Sequence, residues 1–214
     1  MDHQPLEGLS ALISRPLFAE IFDFKFLNQE ASEIQPGVWL DCWAARYEDG
    51  DNKMYFDLIA KQGSLSGDDF ELIGKWKEGC LKPDHGSWKT GTPKAYDVWM
   101  LAKAELPKCP EEDAVADFLR DWSERTFAAG KEKPYRFGLS RSTTLLHFIS
   151  GGRYPILDSN VDSAMTRLGS PLDICGYLYC FCPLFSKIAS ACGVSGTEGL
   201  RKLDNALFMY GSEV

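Results

Sequence analysis

An aspartate at the start of a predicted helix, Asp158, is the residue of this sequence best placed to do chemistry. It follows the short apolar run 154–157 and precedes a helical pattern of apolar residues that Gly169 ends. A carboxylate held at the mouth of a helix can stabilise a developing positive charge or activate a water molecule. Aspartate is also one of the best N-cap residues, so a purely structural capping role stands beside the catalytic one.

A second polar group precedes this aspartate, at the start of another predicted helix. Residues 138–143 read Gly-Leu-Ser-Arg-Ser-Thr, a glycine turn leading into a helix that Gly151-Gly152 ends. A turn of this kind presents backbone N–H groups to a phosphate. Arg136 and Arg141 would add positive charge there. We therefore expect an anion-binding turn, with Asp158 facing a cleft between it and the rest of the fold.

The elements that must position these residues are predicted to be mainly helices. Periodic apolar residues after polar starts indicate them, and the long loop 79–95 interrupts them. The stretch 38–60 alternates around an acidic turn, which predicts either a small β-hairpin or two short helices. The predicted helices begin at Ser66 and at Pro110, the latter ended by Gly130, and further helices cover 142–149, 158–168 and 199–210.

Composition predicts a folded protein without export or membrane signals. The chain has 214 residues, 44% of them hydrophobic and 13% aromatic, enough for a compact single domain or two intimate lobes. No apolar run has the length of a membrane span, and the N-terminus lacks the pattern of a signal peptide. We expect a cytoplasmic protein with no membrane partner, whose seven cysteines are reduced thiols.

The charge is negative overall but unevenly spread. The net charge is −8, yet residues 120–155 carry 7 basic and 3 acidic side chains, whereas residues 1–74 carry 5 basic and 14 acidic ones. A local basic surface can attract phosphates on an acidic protein. An ordinary solvated face is the other interpretation.

The segment 138–161 resembles the helix-hairpin-helix DNA glycosylase superfamily. Its members carry a Gly-hydrophobic-Gly hairpin, a helix, a Gly/Pro-rich link and an aspartate. The adenine glycosylases are most similar, because Arg-Ser-Thr follows their hairpin and Phe-Pro-Ile-Leu-Asp-Gly-Asn-Val contains their aspartate. This chain has Arg141-Ser142-Thr143 and the run Tyr-Pro-Ile-Leu-Asp-Ser-Asn-Val at 154–161.

The resemblance implies a two-lobed, mainly α fold over 1–214, with lobes of about 1–109 plus the C-terminal helix and 110–195. It implies a protein that binds double-stranded DNA, flips out a modified or mismatched base and hydrolyses the base–sugar bond without metal or other cofactor. Asp158 would be the catalytic carboxylate. Ser142 stands where bifunctional members carry a lysine, so the implied enzyme is monofunctional. The implied DNA-binding residues are Gly138, Leu139, Ser140, Arg141, Thr143 and Arg136.

Several features depart from the family. Ser140 replaces the second hairpin glycine, and the residues between Ser142 and Asp158 are slightly fewer than usual. Four cysteines after the aspartate have four, one and nine residues between them, unlike the tight pairs of iron–sulfur or zinc sites. Asp41 is a candidate for the acid that protonates the leaving base, or an ordinary surface carboxylate. A non-catalytic DNA-binding module and a protein-interaction module therefore remain open alternatives.

Overall fold

The computed structural model describes residues 36–47, 52–78, 93–127, 135–167 and 173–212, and this part of the chain is mainly helical, as predicted. A 3-10 turn, Glu112–Ala114, precedes α5, and a π-helical turn, Gly176–Phe181, leads directly into α8. The helices are α1 (Pro36–Ala44), α2 (Asn52–Ala60), α3 (Gly67–Lys77), α4 (Pro93–Glu105), α5 (Val115–Glu124), α6 (Gly138–Ile149), α7 (Ser159–Arg167), α8 (Cys182–Ala191) and α9 (Gly196–Ser212).

The chain divides into two compact units. The terminal unit comprises Met1–Glu48 and Ser159–Val214, and the central unit comprises Asp49–Asp158. This division does not coincide with the expected lobe boundaries near 109 and 195. The reason is that α2, α3 and α4 share one hydrophobic core with α5 and α6, so the chain is not separated at residue 109.

The stretch 38–60 forms helices α1 and α2, so the β-hairpin expected there is wrong and the alternative of two short helices is right. On α1 the buried side chains are Trp39, Leu40 and Trp43, and on α2 they are Tyr55, Leu58 and Ile59. Spacings of three and four place these residues on one face of each helix. Both short sequences also fit an alternating pattern, which explains the ambiguity.

A close approach of two helices fixes part of the central unit. A Cβ added at Gly74 on α3 would lie 2.5 Å from Cγ of Trp99 on α4, so only glycine fits there. The buried Trp99 ring also packs edge-on against Phe137, with ring centroids 5.3 Å apart. Phe137 in turn packs on Trp122 of α5. These aromatic contacts join α4 and α5 to the residue that precedes α6.

Helix α3 begins where the sequence predicts. Ser66 is its N-cap, and its hydroxyl accepts from the Asp69 backbone N–H while the Asp69 carboxylate accepts from the Ser66 backbone N–H. This reciprocal capping box satisfies two backbone donors of the first turn. Lys61 donates to the same carboxylate at 2.6 Å, so the start of α3 is also tied to the residue that follows α2.

Helix α5 ends at Glu124 rather than at Gly130, which lies outside the described residues. The chain instead enters a short antiparallel ribbon, in which β1 (Thr126–Phe127) pairs with β2 (Tyr135–Arg136). The backbone N–H of Phe137 donates to the carbonyl of Arg125 at 3.0 Å, which extends this pairing by one residue. β-Branched and aromatic residues favour such extended backbone. A ribbon therefore connects α5 to α6.

In the terminal unit, α9 packs against α7 and α1. An ion pair is buried on α9, where Arg201 donates to Asp204 at 2.7 Å with side-chain exposures of 4% and 12%. The Arg201 guanidinium also lies 5.3 Å from the centre of the Tyr47 ring, beyond the end of α1. On the other face of α1, the rings of Trp39 and Trp43 pack edge-on against Tyr210.

Within the described residues, no single helix has the length and apolar composition of a membrane span; Gly176–Ala191 and Gly196–Ser212 pass that test only as a pair, and the pair is bent by 109°.

Candidate functional site

Two glycines end α6 and reverse the chain. Gly151 and Gly152 have φ values of +66° and +84°. Their N–H groups donate to the carbonyls of Phe148 (3.2 Å) and His147 (2.8 Å) respectively, the hydrogen-bond pattern of a Schellman cap. Residues without a glycine's freedom rarely adopt positive φ, so the predicted Gly-Gly stop has a specific backbone role. The cap directs residues 153–158 away from the helix axis.

The link that follows runs back along α6. Thr143 Oγ1 accepts from the Leu157 N–H at 3.1 Å and lies 3.3 Å from the Leu157 carbonyl oxygen, to which its hydroxyl can donate. One turn later on α6, His147 Nδ1 lies 2.6 Å from the carbonyl oxygen of Tyr154. The later residue of the link pairs with the earlier residue of the helix. The link is therefore antiparallel to α6 and returns toward the start of that helix.

His147 is held on both sides of its ring. Because a carbonyl oxygen only accepts, Nδ1 carries the proton that is donated to Tyr154. The other nitrogen, Nε2, lies 2.6 Å from the hydroxyl of Tyr55 on α2. His147 is only 5% exposed and Tyr55 only 1%. His147 is accordingly a hydrogen-bonded core residue, the interpretation that the apolar residues around it favour.

Asp158 lies where the sequence predicts, immediately before a helix. Helix α7 begins at Ser159, and Asp158 is partly exposed, whereas the three residues before it are buried. Thr143, which is bonded to the neighbouring Leu157, is the sixth residue of α6. At 1.5 Å per residue it stands about 7.5 Å along the axis from Gly138. The returning link therefore brings Asp158 to the same half of α6 as the glycine turn.

The glycine turn itself is anchored but open. Gly138 has a φ of +79°, which a side chain would disfavour, and no atom lies within 4 Å of the position its Cβ would take. Phe137, directly before it, is fully buried. Leu139 and Ser140, directly after it, are partly exposed. The structure thus gives the turn a fixed aromatic base and an accessible backbone.

Ser142 and Thr143 differ from the other predicted contact residues, because both are fully buried. The Ser142 hydroxyl donates to the Gly138 carbonyl at 2.8 Å, one helical turn back. Serine in a helix commonly satisfies itself in this way. The structure therefore places the Ser142 hydroxyl inside α6 rather than in an accessible pocket. It places Thr143 against the link, with no exposed surface for DNA.

Arg141 forms an ion pair within the central unit. Its Nε donates to one oxygen of Glu78 at 2.6 Å and a terminal nitrogen donates to the other at 3.2 Å, a two-point contact with side-chain exposures of 17% and 14%. The indole N–H of Trp99 donates to the same carboxylate at 3.0 Å. Sequence reasoning did not identify Glu78. Its partner is 63 positions away, so no local pattern signals the pair.

The local positive charge predicted for 120–155 is partly neutralised in the same way. Arg120 pairs with Asp117, and Arg125 pairs with both Asp121 and Glu105. Arg136 and Arg153 are exposed and form no ion pair with the carboxylates of the described ranges. Of the predicted phosphate-binding side chains, Arg136 is thus the exposed cation.

The other sequence candidates do not join this site. Asp41 is an exposed carboxylate that pairs with Lys202 of α9, the surface role weighed against a catalytic one. Burial raises the pKa of Cys182 to about 12 and that of Cys192 to about 11, so both thiols are protonated at neutral pH. In the part of the chain that the structure describes, no three His, Cys, Asp or Glu side chains form a group able to hold a metal ion. His85 lies outside that part.

Tyr55 is the residue of this site that sequence reasoning missed. It lies 92 positions before His147, in the stretch whose secondary structure was ambiguous. Its only signal in the sequence is that it is a polar aromatic residue on the apolar face of a short helix. Comparisons with protein-family models, curated proteins and solved structures found no significant match.

Proposed function

We propose that this chain binds DNA through the turn at Gly138 and hydrolyses a base–sugar bond with the carboxylate of Asp158. One observation carries the proposal. The link after α6 returns antiparallel to that helix, so that Asp158 directly follows a residue bonded to Thr143 near the helix start. A phosphate-binding turn and a catalytic carboxylate must act on one nucleotide, and their placement at one end of α6 allows this.

The turn supplies binding groups of the appropriate kind. The partly exposed backbone of 138–140 begins a helix, where N–H groups point outward and the helix dipole favours an anion. Arg136, two residues earlier, adds an exposed cation. Arg141 is paired with Glu78, so it contributes to phosphate binding only where that pair opens.

The chemistry assigned to Asp158 is that of a monofunctional enzyme. A flipped nucleotide would present its sugar to the carboxylate, which stabilises the positive charge that develops as the bond to the base breaks. Water then adds to the sugar carbon, and the departing base takes up a proton. Ser142 cannot form an imine, and its hydroxyl is buried, so we assign no covalent step to it.

The direct test is base release. Labelled duplexes containing uracil, alkylated, oxidised or mismatched bases are incubated with the protein and then treated with alkali, which breaks abasic sites. We expect strand breaks on at least one duplex with the wild type, and none with Asp158→Asn. The matched control is Asp113→Asn, the same change at an exposed carboxylate in the 3-10 turn, and it should retain full activity. Equal cleavage by Asp158→Asn and wild type would refute the role of Asp158.

A DNA-binding module without chemistry is the second candidate. The net charge of −8 and the pairing of Arg141 with Glu78 favour it, because both weaken phosphate attraction. Salt-sensitive duplex binding with no strand breaks on any substrate would establish it. No duplex binding at any salt concentration would instead support a protein-interaction module.

The binding surface has its own test. If Arg136 contacts a phosphate, Arg136→Gln should weaken binding of every duplex and lower the slope of log K against log salt by about 0.9. Arg120→Gln is the matched control, because Arg120 is also exposed but pairs with Asp117 on α5. Equal slopes for wild type and Arg136→Gln would remove Arg136 from the interface.

A further inference from the structure

We propose that Thr143, His147 and Tyr55 are positioning residues that hold Asp158 in place through the backbone of the link 153–157. None of the three is assigned a contact with the reacting atoms. Their effect on base release depends on the proposed function, whereas their effect on Asp158 itself does not.

The first part of this arrangement is a two-point attachment. Thr143 and His147 are four residues apart, hence on one face of α6, and they bind Leu157 and Tyr154 of the link. A single contact would leave the link free to rotate about it. Two contacts on one helix face fix both its direction and its distance from α6, up to the residue before Asp158.

The second part is the connection to α2. Tyr55 and His147 are 2.6 Å apart, and His147 and the Tyr154 carbonyl oxygen are also 2.6 Å apart. The imidazole ring thus transmits the position of α2 to the link. The Tyr55 ring is held in turn by edge-on packing against Phe148, with centroids 5.6 Å apart. Buried and hydrogen-bonded at both ends, His147 has one rotamer that satisfies all of these contacts.

The burial of these groups separates positioning from binding. Thr143 is 0% exposed, Tyr55 1% and His147 5%, so none has a surface to offer a ligand. Asp158 is partly exposed and follows the buried run 155–157. An accessible carboxylate on a buried, bonded backbone is the arrangement expected where a functional group must be held within a fraction of an ångström.

The chain offers a matched control on the same helix. Thr144, beside Thr143, is equally buried, but its hydroxyl donates only to the Ser140 carbonyl of its own helix, at 2.8 Å. Thr143→Val and Thr144→Val therefore make the same chemical change, and only the first removes a bond to the link. For Tyr55→Phe the control is Tyr177→Phe, which removes a hydroxyl from a fully buried tyrosine of the terminal unit.

The test observes Asp158 directly. The protein is labelled with aspartate carrying ¹³C in the side-chain carboxyl group, and the Asp158 signal is assigned by its absence from Asp158→Asn. We expect Thr143→Val and Tyr55→Phe to shift or broaden this signal, and Thr143→Val to accelerate exchange of the Leu157 amide proton. Thr144→Val and Tyr177→Phe should leave both unchanged. An Asp158 signal that is the same in all four variants would overturn the proposal.

Base release supplies a second readout on any substrate that the wild type cleaves. In single-turnover experiments, Thr143→Val should lower the rate of base release at least about tenfold with no change in duplex affinity. An unchanged rate would overturn the proposed effect on catalysis. A wild type that cleaves no substrate would refute the glycosylase function, and the ¹³C signal would still decide whether these residues position Asp158.

Discussion

Two helices of this protein end with the same hydrogen-bond motif and continue in different ways. In the central unit, Gly151 and Gly152 cap α6. In the terminal unit, the N–H groups of Gly193 and Val194 donate to Ser190 (3.1 Å) and Ala189 (3.0 Å), which caps α8 identically. After the second cap, α9 begins at Gly196, whereas no helix begins after the first until Ser159.

The segments after the two caps are held by different forces. The link after α6 is held by neutral groups, the hydroxyl of Thr143 and the imidazole of His147. Helix α9 is held by packing on α1 and α7 and carries a buried ion pair. The same cap therefore serves either a short helix-to-helix connection or a link tied down by side chains. Long-range contacts decide how the chain continues after each cap.

The largest effect is expected from breaking the ion pair that α9 carries. Asp204→Leu removes the carboxylate partner of Arg201, whose side chain is only 4% exposed, and should lower the free energy of unfolding by about 3–5 kcal/mol. Arg201→Met/Asp204→Leu together should cost less than the sum of the two single changes. Urea denaturation measures all three. Strictly additive losses would mean that the pair does not couple, contrary to the comparison.

A smaller effect is expected from the cap glycines, and here the two units should differ in consequence. Gly152→Ala and Gly193→Ala each place a side chain at positive φ, at +84° and +67°, and each should cost about 1–2 kcal/mol. Thermal unfolding checks the stability. Only Gly152→Ala should also change the ¹³C carboxyl signal of Asp158. A change in that signal with Gly193→Ala would contradict the separation of the two roles.

The terminal unit should be sensitive to alkali. Burial, partly opposed by a hydrogen bond from Tyr177, raises the pKa of Cys182 to about 12. A raised pKa means that the folded state prefers the protonated thiol, so this stability is complete below about pH 8 and is lost as the pH rises toward 12. Cys182→Ala should therefore flatten the alkaline side of the stability curve. Cys175→Ala, at an exposed thiol, should leave it unchanged.

The smallest effect is expected on the acid side, from the central unit. Burial alone would raise the pKa of Asp69, but hydrogen bonds from Lys61 and Ser66 outweigh it and the pKa is lowered. The stability that results is present above about pH 4 and is lost as the pH falls below it. Asp69→Asn should reduce this acid dependence, measured by denaturation between pH 2 and 6. Asp68→Asn, at an exposed residue, is the control.

Local signals explain what could be predicted of the fold. Ser66 and Asp69 form a capping box over four residues, and Gly151-Gly152 form a cap over six, so both helix ends are visible in the sequence. The stretch 38–60 was ambiguous because nine-residue helices present few turns of periodicity. The early end of α5 depends on pairing between β1 and β2, which no residue near Glu124 indicates.

The candidate site could be predicted only in part, for the same reason. The position of Asp158 before α7 follows from neighbouring residues. The burial of Ser142, the pairing of Arg141 with Glu78 and the contact of His147 with Tyr55 depend on residues brought together by the fold. The roles of Asp158 and of the glycine turn in DNA chemistry stay predictions until base release is measured.

The contact of Gly74 with Trp99 has a consequence for how this sequence can diverge. A larger residue at 74 is tolerated only where the tryptophan is replaced by something smaller, because a Cβ would come within 2.5 Å of the ring. The same indole donates to Glu78, the partner of Arg141. Positions 74, 99, 78 and 141 should therefore be inherited together. In descendants that have lost the tryptophan, selection on the arginine and the glutamate should relax at the same time.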